Sequence, residues 1–343
     1  MRIRDYGIIT GEMPAGRLNR ISDVPGVTVG HSTVISEKHQ TGVSVVMPCP
    51  ENPFTHKLPA ACFVLNGFGK SAGLVQIEEL GTLETPIVLT NTLNVGKMHE
   101  ALTGYMVDRC ASEGFELTSV NPVVCECNDA RLNKISERAV ERENLLQAIE
   151  SASAEFEEGA VGAGRGMGCH GLKGGIGSAS RMLGFDGREF ALGILVLTNH
   201  GKLPDLVINN DPIGKRIRDA EAAKLPDRGS CIVLMATDLP LCPRQLRRVL
   251  KRCPVGMARL GSYVGQGSGE IFVGFSTANK WLTGESSVIR AAEVFDDDHL
   301  DPVFRAAAEA TEEAILNAMS SAVTVTGHTG FTRHALSEYL GKV

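Results

Sequence analysis

Three short stretches put hydroxyl, carboxylate and amide groups where apolar segments begin or end. In "DRGSCIVLMATDLPL", residues 227 to 241, a polar loop reaches Gly229 and the chain passes at Ser230 straight into an apolar run. A serine there can serve as a nucleophile, provided it has a base or orienting group, a second layer holding that group, and a donor for the oxyanion. The plainer reading is a turn glycine followed by a capping serine. In "GSGEIFVGF", residues 267 to 275, Ser268 and Glu270 stand two apart at the head of an apolar strand. That spacing projects both to one face and leaves the face of Gly269 open. The competing reading is an edge strand wetted at its start. "LGILVLTNHG" ends in Asn199 and His200 just past an apolar run. The Asn199 amide could donate to an oxyanion, or Asn-His-Gly could simply turn the chain.

These groups need elements to hold them. Strands are predicted at "GVSVVMPC", "AACFVLNG", "PIVLTNT", "NPVVCEC", "FALGILVLTN", "SCIVLMAT" and "EIFVGFST". Several are apolar on both faces, which fits a covered sheet. Helices are predicted over 71–80, 95–112, 135–153, 213–222, 243–253 and 302–320, the last with apolar residues at three- and four-residue spacing. "RRVLKR", residues 247 to 252, reads as the solvated face of one helix. Two sheets covered by helices and one large mixed sheet both satisfy this pattern. With no linker, low-complexity tract or repeat, residues 1–343 are expected to form one domain.

Glycine concentrates between residues 158 and 180, where Gly166, Gly168 and Gly171 form a GxGxxG pattern. A dinucleotide fingerprint requires a strand before it, a helix opening after it and an acidic residue about 20 positions on. More glycine follows instead. The stretch therefore reads as close backbone approach along a strand edge or around a binding cavity.

Composition excludes several classes. With 43% hydrophobic and 22% charged residues, the chain is that of an ordinary soluble globular protein. A net charge of -6 and the lack of basic patches with interleaved aromatics argue against nucleic acid as a partner. The N-terminal stretch has no signal-peptide core and no segment approaches a membrane span, so a cytoplasmic protein without membrane contact is expected. Nine scattered cysteines agree with a reducing compartment. Cys125 and Cys127 have the wrong spacing for a zinc knuckle or redox motif, and nine dispersed histidines show no HxH or HExxH. No metal site is expected.

Seven segments carry a specific resemblance: "ISDVPGVTVGHSTV" (21–34), "FVLNGFGKSAGL" (63–74), "LETPIVLTNTLNVG" (83–96), "GAVGAGRGMGCHGLKGGIGSASR" (159–181), "LTNHG" (197–201), "GSCIVLMATDLPL" (229–241) and "GSGEIFVGFSTAN" (267–279). Together they resemble the DmpA-type aminopeptidases, a family that includes L-aminopeptidase/D-esterases and β-peptidyl aminopeptidases. The likeness is colinear over nearly the whole chain. It implies an αββα sandwich of the kind shared with the ornithine acetyltransferases, made as a precursor that cuts itself at a Gly-Ser bond. Cleavage between Gly229 and Ser230 would give an α chain, 1–229, and a β chain, 230–343. The chemistry is intelligible from residue types: a glycine carbonyl can approach the hydroxyl closely, and the freed α-amine has a reference pKa of ~7.7 to 8.0. The polar stretch from about 201 to 229 would be a flexible lead that moves aside.

By the same resemblance Ser230 is the nucleophile, Ser268 and Glu270 orient it and relay its proton, and Asn199 is the oxyanion donor. Glu126 matches an acidic residue near the substrate's free amine, as chain-end recognition requires. Where family members often show an aromatic followed by Asp-Gly, this chain has Asn128, Asp129 and Ala130, so Asn128 faces substrate with an amide. The expected activity is hydrolysis of small peptides, amides or esters with a free amino end through an acyl-enzyme, with no cofactor. A homo-oligomer, a tetramer of cleaved protomers, is implied as well. The alternatives are an acyltransferase of the ornithine acetyltransferase type, against which the serine nucleophile argues, and a non-catalytic glycine-rich binding protein.

Overall fold

The computed structural model describes all residues except 218–223, 225–228, 285–286 and 342–343. In chain order its strands are β1 (Thr28–Ile35), β2 (Gln40–Met47), β3 (His56–Gly67), β4 (Thr82–Leu83), β5 (Ile87–Asn91) and β6 (Val123–Cys127). There follow β7 (Gly168–Cys169), β8 (Leu172–Lys173), β9 (Ile176–Phe185), β10 (Arg188–Asn199), β11 (Ser230–Thr237), β12 (Gly269–Ser276), β13 (Trp281–Leu282), β14 (Val325–Thr326) and β15 (Thr332–Arg333). The helices are α1 (Leu74–Leu80), α2 (Val95–Ser112), α3 (Arg142–Glu150), α4 (Pro243–Leu250), α5 (Cys253–Arg259) and α6 (Leu300–Ser320).

One sheet has the order β1-β2-β5-β6, the other β13-β3-β12-β11-β10-β9 with β4 added to β3. Alternation along the strands sorts their side chains into two cores. Ile232, Leu234 and Ala236 of β11 pack with Ile87 and Leu89 of β5 and Cys125 of β6, filling the space between the sheets. Cys231, Val233 and Met235 point the other way, onto α4, α5 and α6. The outer face of the smaller sheet packs on α2 and α3. Each sheet thus has a helical layer outside and its partner sheet inside. This is the αββα sandwich, and it resolves the choice that periodicity left open.

α6 lies close on β9 and β10 because its contact face is mostly alanine: Ala306, Ala310, Ala314 and Ala318 are buried. A Cβ on Gly177 of β9 would overlap the Ala314 carbonyl. Beside this seam the buried Arg181 of β9 pairs with Glu313 of α6 at 2.9 Å.

Some elements differ from expectation for local reasons. β1 and β9 were not expected; their glycines and serines dilute the apolar signal. The helix expected over 135–153 is a 3-10 turn, Ile135–Glu137, then α3, whose start is capped by Asn144 Oδ1 accepting the Glu141 N–H at 2.9 Å. The helix expected over 243–253 is α4 and α5, with Pro254 in the first turn of α5. Of the helix expected over 213–222, Ile213–Lys215 is a 3-10 turn and the end lies outside the described residues. The lead expected from 201 is largely packed: Leu203, Leu206, Ile208, Ile213 and Ile217 are buried in the helix-side core. Residues 225–228, next to the junction, lie outside the described residues.

Candidate active site

β10 runs antiparallel to β11 and β11 parallel to β12, so the end of β10 meets the starts of both others. Asn199 stands opposite Ser230, and Ser230 opposite Gly269. The end of β6, from the other sheet, arrives at the same edge. A cavity of about 900 Å³ opens here, lined among others by Ser230, Gly229, Asn199, Glu126 and Asn128. Glu126 and Ser230, 104 positions apart in the chain, are thereby gathered at one mouth.

The junction answers why glycine precedes the serine. Ser230 Oγ donates to the Gly229 carbonyl oxygen at 2.6 Å, and the Gly269 N–H donates to that same oxygen at 3.1 Å. A Cβ on Gly229 would overlap the Asn199 carbonyl, and one on Gly269 would overlap the Phe68 carbonyl. Neither residue is merely a turn former; both admit backbone from a neighbouring strand. The start of β12 is accordingly central, between β11 and β3, and not a wetted edge. The face of Gly269 expected to be open is closed by Phe68.

Gly229→Ala should therefore displace the junction from β10 at a strain of ~1–3 kcal/mol. If scission occurs at this bond, it should slow about tenfold or more, read as the rate of fragment appearance after synthesis; scission at the wild-type rate would show that close packing here is irrelevant.

Ser268 and Glu270 are brought together as expected. Both are fully buried, and Ser268 Oγ donates to Glu270 Oε1. Their side chains follow the face of Cys231, opposite Glu270 in the parallel register, whereas Ser230 belongs to the inner face. No hydrogen bond joins Ser268 to Ser230 among the described residues of this uncut chain, since the Ser230 hydroxyl is given to Gly229. The loop before β12 is held by Asn66, whose Nδ2 reaches the carbonyls of Gly265 at 3.2 Å, Gln266 at 3.1 Å and Ser268.

Asn199 lies in the cavity wall with its amide engaged at both ends. Its Nδ2 donates to the Asn128 carbonyl at 2.8 Å and its Oδ1 accepts the Gly168 N–H at 3.0 Å. Glu126 is 2% exposed. Its oxygens accept the Lys70 N–H at 2.9 Å and the Thr92 hydroxyl. Both donors are neutral, and no ion pair to Glu126 exists among the described residues. The Asn128 side-chain oxygen accepts the Ala130 N–H at 3.1 Å, and the Asn128 backbone carbonyl is the group that accepts from Asn199. Buried Asp129, held by Thr41 at 2.6 Å and Asn133 at 3.0 Å, pins this loop, and desolvation pushes its carboxyl up to about 6.

The glycine-rich stretch is not a nucleotide loop: β7 and β8 form a hairpin, with no helix opening after the glycines. Lys173 is fully buried and donates to the carbonyls of Gly164, Met167 and Gly174 at 2.7–2.9 Å. The fold also juxtaposes Cys169, His170 and His200, with ligand atoms within 4.8 Å of one another, although no spacing motif announced it. Burial and the neighbouring His170 push His200 down to about 3, so its ring is neutral at ordinary pH. Asn66, Lys70 and Thr92 were missed, although the Asn and Thr each interrupt or follow an apolar strand.

The class of protein is set by the fold. The structure superposes with a TM-score of 0.93 on the L-aminopeptidase D-Ala-esterase/amidase of Ochrobactrum anthropi, described as a variant of the Ntn-hydrolase fold, at 35% identity over 99% of this chain and 96% of that one. A protein of Pyrococcus horikoshii OT3 matches at a TM-score of 0.92 and 44% identity, covering 99% of this chain and 98% of the other. The β-peptidyl aminopeptidase BapA of Sphingosinicella microcystinivorans is 38% identical, over 96% of this chain and 88% of its own length. The profile of peptidase family S58 matches residues 19–333. The chain belongs to peptidase family S58, and it is a hydrolase of the Ntn aminopeptidase type.

Proposed function

We propose that Ser230 is the nucleophile of an aminopeptidase that matures by cutting its own chain at Gly229-Ser230, giving chains 1–229 and 230–343. The observation that carries this is the junction, where the Ser230 hydroxyl lies 2.6 Å from the Gly229 carbonyl oxygen while the Gly269 N–H donates to that oxygen from 3.1 Å. In scission Ser230 Oγ attacks the Gly229 carbonyl carbon, and the Gly269 N–H receives the charge that gathers on oxygen. The hydroxyl proton passes to the Ser230 nitrogen as the C–N bond breaks, leaving an ester and a free α-amine. Water cleaves the ester, giving the Gly229 carboxylate and restoring the Ser230 hydroxyl.

Turnover repeats the attack on substrate. The Glu126 carboxylate is placed to take the ammonium of a free amino end, consistent with relatives named as L- or β-aminopeptidases. Ser230 Oγ attacks the carbonyl, its α-amine and the Ser268–Glu270 pair serve as proton acceptor and orienting group, and water resolves the acyl-enzyme. Asn199 donates to the oxyanion after exchanging its Asn128 partner. Peptides, amides and esters with an L- or β-amino acid at the free end are the substrates, and no cofactor enters any step.

No helix among the described residues is long and apolar enough to cross a membrane, and no disulfide joins the cysteines among them. These support a cytoplasmic setting. Exposed Val288, Ile289 and Val294, at 97%, 88% and 84%, support a closed homo-oligomer, taken as four protomers. Light scattering at micromolar concentration should give four protomer masses; a monomer mass overturns this assembly.

The test of function is direct. Purified protein should run as two fragments on a denaturing gel, with Ser230 at the new N-terminus, and should release p-nitroaniline from β-alanyl and L-alanyl p-nitroanilides. An intact chain that nonetheless turns these over would overturn the self-processing mechanism.

A further inference from the structure

The cavity that holds Ser230 and Glu126 also has a cationic wall made by Arg131 and Arg333. Arg333 is only 9% exposed, and one of its terminal nitrogens donates to the Gly171 carbonyl at 2.9 Å. Its Nε has no hydrogen-bond partner among the described residues. Both guanidiniums sit over the Phe331 ring, 5.8 Å from its centre for Arg131 and 5.7 Å for Arg333. Burial, and then the nearby Arg131 charge, push Arg333 down to about 10. No carboxylate pairs with either among the described residues, although the protein pairs its other deeply buried arginine, Arg181, with Glu313. Two like charges held together without a counter-ion cost stability unless an anion completes the site.

The glycines of the GxGxxG pattern build this wall. A Cβ on Gly168 would overlap the Arg333 guanidinium, Gly171 supplies the carbonyl it donates to, and Gly166 lines the cavity. The glycine stretch therefore seats an arginine where a Rossmann loop would seat a pyrophosphate.

We propose that Arg131 and Arg333 bind the C-terminal carboxylate of a short peptide whose free amine faces Glu126, making this site selective for short peptides with both ends free. The inference rests on the aminopeptidase reading, since it takes the amine to lie at Glu126. A guanidinium offers planar paired donors to a carboxylate, and a carboxamide at the same place would lose the charge that these arginines lack. Dipolar peptides thus meet opposite charge at each end.

The test uses the uncut Ser230→Ala protein, so binding is read without scission or hydrolysis. Calorimetry should show β-alanyl-L-alanine binding about tenfold or more tighter than its C-terminal carboxamide, the loss expected when charge-assisted hydrogen bonds are removed. Arg131→Gln in the same background should bring the two within a few-fold of each other, and Arg333→Lys, which keeps the charge where Arg333→Gln risks the fold, should retain part of the preference. Equal affinity for acid and amide overturns the carboxylate site while leaving the aminopeptidase reading intact. So does an undiminished preference in Arg131→Gln. If the uncut protein binds neither peptide, the two are compared as competitors of anilide hydrolysis by the processed wild type, where equal inhibition overturns the carboxylate site; failure of both binding and hydrolysis removes both readings.

Discussion

Ser230→Ala is expected to leave one uncut chain of 36.6 kDa with no measurable hydrolysis of aminoacyl anilides. The substitution removes a single oxygen from a buried side chain whose hydrogen-bond partner is the Gly229 carbonyl. That carbonyl keeps its Gly269 donor, so no buried acceptor is orphaned and the fold should survive. What disappears is the proposed nucleophile for both reactions. Loss of a nucleophile acting with its partners lowers kcat by roughly 10⁶ in serine hydrolases. Ser230→Cys keeps a nucleophilic atom at the same place and should recover slow scission, which separates loss of chemistry from loss of structure. Two fragments from Ser230→Ala, cut at the same bond, would mean that another group performs the scission.

Ser268→Ala and Glu270→Gln are expected to lower kcat by about 10²–10⁴ with KM nearly unchanged, because a group moving or orienting a proton acts in the transition state. The uncut geometry adds a condition. Ser268 and Glu270 lie on the face of Cys231, while the Ser230 hydroxyl is engaged by Gly229 on the other. The proposed scission would remove that partner and make Ser230 a chain end, free to meet Ser268. The pair should thus matter more for turnover than for maturation. Members of one relay act as a unit, so the double substitution should cost little more than the worse single one. Since an uncut variant reports on maturation alone, each must be assayed fully processed, or with the second chain produced with Ser230 at its start. A processed Glu270→Gln protein at the wild-type rate would leave the Ser230 α-amine as the base.

Much of this site was legible in the chain. The Gly229-Ser230 junction, the Ser268-Glu270 pair and Asn199 each announce themselves as polar groups at the end of an apolar strand, a signal carried by a few adjacent residues. The resemblance then pointed to Glu126 and Asn128, both of which line the cavity that holds Ser230, and it is the backbone of Asn128 that reaches Asn199. β1 and β9 were not legible, because glycine and serine at their buried positions conceal the alternation that marks a strand.

By itself, the sequence determined which segments are strands with chemistry at their ends, since alternation, turn residues and the Gly-Ser step act between neighbours in the chain. Only the tertiary structure decided which ends meet and what they face. That Gly229 must be glycine depends on the Asn199 carbonyl, that Gly168 must be glycine depends on Arg333, and that Glu126 shares a cavity with Arg131 and Arg333 depends on the stacking of one sheet on the other. Such neighbours stand 30 to 207 positions apart, as Asn199 and Gly229 or Glu126 and Arg333 do. They arise from burial of two apolar sheet faces against each other, a driving force that is proportional to area and blind to sequence separation.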